Sequence, residues 1–217
     1  MKHGVRNGGA GQGNALLPLD GGTLRARFWL DVRLNSRAYL FGLLLVLTGW
    51  IAGGAAVGRL TGEALRAYET AAAAALLSMK QTPKTTVVPL LRALWVNGSA
   101  CALVASGGVG GAMTVFSALM LLLFSVPQGC AFVLLWRQGG GLCAGLCAAL
   151  PALALLFPLL KCWTLALAGA SAARAGQPLS GYGGRLLRCA PLLLLGVLLQ
   201  GWLCPLLFRT ICALMGA

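Results

Sequence analysis

The chain has 217 residues, of which 59% are apolar and only 10% charged, and it carries a formal net charge of +13. About 25% of a typical soluble domain is charged, so this composition excludes an ordinary soluble domain, and apolar runs near the ~20 residues that cross a bilayer recur along the chain. The basic excess flanks those runs without an interleaved aromatic patch, which argues against nucleic acid and for membrane lipids as the surface the cations meet.

Residues 1–37 read as a basic cytoplasmic tail. "MKHGVRNGGAGQGNALLPLDGGTL" holds little that could pack and is expected to be disordered. "RARFWLDVRLNSR" then sets Phe28, Trp29, Val32 and Leu34 among four arginines. That pattern suits a short amphipathic lead-in on the membrane surface, or simply a basic flank that orients the first span. Residues 38–217 read as a single transmembrane domain. Its first apolar run starts near Ala38, too late and too long for a cleavable leader, and should act as a signal anchor.

The first span is placed at 38–58, and the six Lys and Arg before it predict a cytoplasmic N-terminus. The segment 59–92 then lies outside. Within it "TGEALRAYETAAAAALLSMK" sets Glu63, Arg66 and Glu69 at helical spacing and reads as one outer helix, ended by "QTPKTTVVP". The next region is interrupted at "GGVGG" (107–111) and "VPQG" (126–129), either of which could be a turn or an unwound break. The preferred division is 93–107, 112–136 and 141–173, followed by a basic loop returned to the inside and a last span at 190–214. The expected fold is therefore an all-α polytopic membrane bundle of about five spans, six being the competing count.

Chemistry is sparse. No carboxylate follows Glu69, and the only histidine is His3. Lys161 is the one cation deep in a span, where ionisable residues are functional candidates by default. It could activate Ser117 or Ser125 only if neutral and adjacent, and nothing in the sequence brings them together. The eight cysteines lie in or beside apolar runs and read as small hydrophobes. Cys143 and Cys147 share a helix face, with no histidine near them to complete a metal site. No catalytic, cofactor-binding or metal-ligating residue is assigned. A small transporter or permease subunit remains the alternative, because broken helices can expose carbonyls for ions, although no internal repeat supports it.

The stretch "ALPALALLFPLLKCW" carries Pro151 and Pro158 seven residues apart, within about 20° of one helix face. It predicts one long proline-bent span. Pro151, Pro158, Lys161, Trp163 and Gly129 are the candidate structural or partner-contact residues.

The order of a basic lead-in, "SRAYLFGLLLVLTGWIAGG", an outer helix, "LLRALWVNGSACALVASGG", "SVPQGCAFVLLW" and "LPALALLFPLLKCWTLALAGASAARAG" resembles the stage II sporulation protein M family. The match at Pro151 and Pro158 is its most specific part, and the likeness covers most of the chain from Ser36 to Leu207. The resemblance implies a multi-pass scaffold in the cell membrane, acting in engulfment of the forespore. It also implies two peptidoglycan-degrading partners, the stage II sporulation proteins D and P, and no catalytic residues in this chain.

Overall fold

The computed structural model describes residues 24–81, 87–110, 113–177 and 181–214, and among these it is helical apart from short turns, with no strand. The expected disorder of residues 1–23 lies outside the described residues. Helix α1 (Leu24–Leu34) belongs to a unit separate from the rest and realises the basic lead-in as a helix.

From Asn35 onward the second unit contains α2 (Ser36–Arg59), α3 (Gly62–Gln81), α4 (Val88–Ser106) and α5 (Met113–Ala144). A π-turn (Gly145–Ala149) leads into α6 (Leu150–Arg174), and α7 (Tyr182–Leu187) and α8 (Ala190–Leu198) follow. A second π-turn (Leu199–Leu203) then joins α9 (Cys204–Leu214). Four helical stretches are long and apolar enough to cross a membrane: Ser36–Arg59, Val88–Ser106, Met113–Arg174 and Tyr182–Ala213.

The third of these has 62 residues. At 1.5 Å per residue it would be about 93 Å long if straight, three times a ~30 Å hydrocarbon core. It doubles back at Gly140, whose φ of 72° and ψ of −170° are not helical. Glycine adopts that positive φ without the Cβ penalty any other residue would meet.

Neighbour relations fix the direction of each limb. Along α2, Gly49 faces Leu122 and Ser125, Gly53 faces Val126 and Cys130, and Gly54 faces Val133, so α2 runs parallel to residues 113–139. The turn at 107–110 folds α4 back against the start of α5, where the Ser117 hydroxyl donates to Val104 O at 2.6 Å. Gly169 meets Gly108, and Trp163 Nε1 donates to Ala38 O at 3.0 Å, so residues 141–174 return to the end at which α2 begins. In the last limb Tyr182 sits by Gly108, Gly196 by Ala154 and Gly201 by Leu90, so it rises again. The chain thus passes five times between a Ser36 end and a Gly140 end.

Three sequence expectations need correction. "VPQG" is neither a turn nor a re-entrant break, because Pro127 lies inside continuous α5. The second span starts at Val88, not 93: Pro89 stands in its first turn, where a missing N–H costs nothing, and opens α4 instead of closing the outer helix. The last stretch begins at Tyr182, ahead of 190, because α7 makes a helical turn of the basic loop.

Candidate functional site

Proline removes a backbone donor, and its ring clashes with the carbonyl four residues earlier. Each π-turn is followed directly by this problem. Leu150 N–H bonds Gly145 O just before Pro151, and Cys204 N–H bonds Leu199 O just before Pro205. One extra residue in the turn widens it and eases the ring past the preceding carbonyl. Pro158 is fully buried inside α6 and deprives Ala154 O of its helical donor. Gly196 of α8 lies against that carbonyl, where a Cβ would come within 3.1 Å. A glycine Cα–H can approach there and offset the lost bond in part. Pro158 therefore acts on packing against the last limb.

Trp163 is 1% exposed and fills the gap left by Gly42, whose Cβ would stand 2.7 Å from the indole. Phe41 tilts against it at 6.0 Å between ring centroids. Lys161, two residues earlier, is shallower than its place in the apolar run suggests, because its neighbours Leu160 and Trp163 pack at Gly42 and Ala38 in the first two turns of α2. The lysine is close enough to the Ser36 end for its amine to reach the interface along its stem.

Gly129 lies elsewhere, at the crossing of α2 and α5, and has no space for a Cβ beside the backbone of Trp50. Trp50 Nε1 donates to Gln128 Oε1 at 3.0 Å, and its ring stacks on Phe132 at 5.8 Å. The "PQG" of "VPQG" is thus the docking patch for Trp50. The structure gathers Pro151, Pro158, Lys161 and Trp163 on one limb and leaves Gly129 to a different contact.

The two serines considered as nucleophiles have their protons committed: Ser117 to Val104 O, and Ser125 to Leu121 O at 2.7 Å. Among the described residues no buried side-chain nitrogen or oxygen lacks a hydrogen-bond partner, and no group of three or more His, Cys, Asp or Glu is arranged to hold a metal ion. All eight cysteines are free thiols.

Two features escaped sequence reasoning. The first is the pair Asn97 Nδ2 to Gln200 Oε1, joining α4 to the second π-turn at 2.5 Å; each is a lone amide in an apolar run, and that was the available signal. The second is a cap at the Gly140 end. There Ala72 and Leu76 of α3 pack on Leu135, Ala144 and Ala148. Glu69 meets Arg137 at 3.9 Å, and its carbonyl accepts from Gln138 at 3.4 Å. Tyr68, Leu77, Trp136 and Leu142 stay exposed on the elements that build this end. No protein-family model, curated protein or solved structure matches the chain.

Proposed function

We propose that this chain is a non-catalytic integral membrane scaffold of the stage II sporulation protein M kind, in the cell membrane with its N-terminus cytoplasmic. In that reading the Gly140 end faces the wall and holds the peptidoglycan-degrading stage II sporulation proteins D and P at the septal membrane during engulfment. The observation that carries the reading is the cap, in which α3 is docked on the hairpin tip and still presents Tyr68 and Leu77 outward. Among the described residues every buried side-chain nitrogen or oxygen already has a hydrogen-bond partner, most often a backbone carbonyl, which supports a static core over a permease that needs polar groups available along a path.

The test is co-purification from sporulating cells. The wild-type chain should recover wall hydrolases, and Tyr68→Ala with Leu77→Ala should reduce that recovery at least several-fold while the protein stays in the membrane. Recovery of no hydrolase by the wild type, or unchanged recovery by the double variant, speaks against the cap as a docking surface.

A further inference from the structure

A cavity of about 340 Å³ opens on the side of the bundle between α4, α6 and the α7–α8 segment. Three of its wall residues are cysteines, one from each side: Cys101 of α4, Cys162 of α6 and Cys189, the residue before α8. The Cys162 thiol lies between the other two, within hydrogen-bond reach of both. Cys162 is 1% exposed, Cys189 5% and Cys101 6%, so water reaches these sulfurs poorly. The rest of the wall is glycine, alanine, leucine and Pro158, with no charged side chain among the described residues. Glycine makes the space, since a Cβ at Gly98 meets nothing within 4 Å. Ala102 and Leu187 on the wall are exposed, and both stand in helical stretches long and apolar enough to cross a membrane, so the mouth opens to lipid.

A dry apolar slot would take any apolar guest, and it is the sulfurs that narrow the class. Thiols in contact can give up two electrons together and form a disulfide. A buried thiol meets water-borne oxidants poorly, because burial disfavours the thiolate they react with. An oxidant that acts here must dissolve in lipid, carry no charge, and take two electrons with two protons. Quinones have these properties, and one quinone ring suits a volume near the lower end of small-molecule sites (roughly 300–1,000 Å³). We propose that the cavity is a site at which a lipid-soluble quinone oxidises Cys162 and one of its two neighbouring thiols to a disulfide. The S–H bonds of Cys162 and its neighbour break and an S–S bond forms. Both electrons and both protons pass to the two carbonyl oxygens of the quinone, which leaves as quinol. A bond to Cys101 ties α6 to α4, and a bond to Cys189 ties α6 to the last limb.

The experiment uses the full chain, reduced and reconstituted in phosphatidylcholine vesicles without oxygen. Decylubiquinone is added, a quinone whose ring is fully substituted and so keeps no stable thiol adduct. Disulfides are then mapped by peptide mass spectrometry, and quinol is measured alongside. The wild type should lose one pair of thiols to a disulfide that includes Cys162, with an equal amount of quinol formed. Cys162→Ala should lose the reaction. Cys101→Ala and Cys189→Ala should each keep it, because Cys162 retains a neighbour in either variant, and the two together should abolish it. Gly98→Leu should slow it by filling the slot while leaving every thiol in place. No disulfide in the wild type, a disulfide that leaves out Cys162, or an unchanged rate in Gly98→Leu overturns the inference. So does an equal yield from oxidised glutathione, a charged oxidant that does not partition into the slot.

Discussion

Within α2, Gly53 and Gly58 have the same side chain and opposite surroundings. A Cβ at Gly53 would run into the backbone carbonyl of Val126, which cannot swing aside, while one at Gly58 meets nothing within 4 Å. Gly53→Ala should therefore destabilise by about 1–3 kcal/mol through overpacking. Gly58→Ala should be neutral or stabilising by about 0.5–1 kcal/mol, because glycine is the poorer helix former. Denaturing-detergent titration of the two variants checks this, and the absence of a loss in Gly53→Ala would mean that the seam between α2 and α5 is loosely packed. Which glycine meets a backbone was not legible in the sequence, because that depends on the register between helices distant in the chain. The same holds for Gly129, whose partner Trp50 stands 79 positions earlier.

Among the elements, the prolines were legible as a pattern, and only the turn or break expected at Pro127 was misread. Pro127 and Pro158 continue their helices, and Pro151 and Pro205 each follow a widened turn, because a packed membrane bundle supplies contacts that an isolated helix lacks. The second π-turn also carries Gln200, which ties it to Asn97, and Asn97 is 4% exposed. Interhelical polar pairs in membranes average about 0.6 kcal/mol and reach about 1.7. A double-mutant cycle of Asn97→Leu and Gln200→Leu should return a coupling energy in that range, with the double variant more stable than the sum of the singles implies. Strict additivity would mean that the two amides do not hold the turn in place. Sequence reading passed over this pair because it weighed ionisable residues and neglected isolated amides.

For the whole molecule, the apolar runs made the all-helical, multi-pass bundle legible, and the preferred count of five passes agrees with the limb directions. Span edges were off by several residues where proline or a basic turn opened a helix. The cap was hidden because α3 had no partner nameable from sequence. A single cysteine placed at Gly140 or at Gly176, on a background lacking the native eight, should be labelled from opposite sides of the membrane by an impermeant maleimide. Labelling of both from one side would undo the five-pass reading. The turn at Gly140 matters for synthesis as well as shape. Between the apolar parts of residues 113–139 and 141–174 stand only Arg137, Gln138 and three glycines. So short a polar tip places almost no soluble chain on the far side, and the two limbs are expected to enter the bilayer together as a helical hairpin.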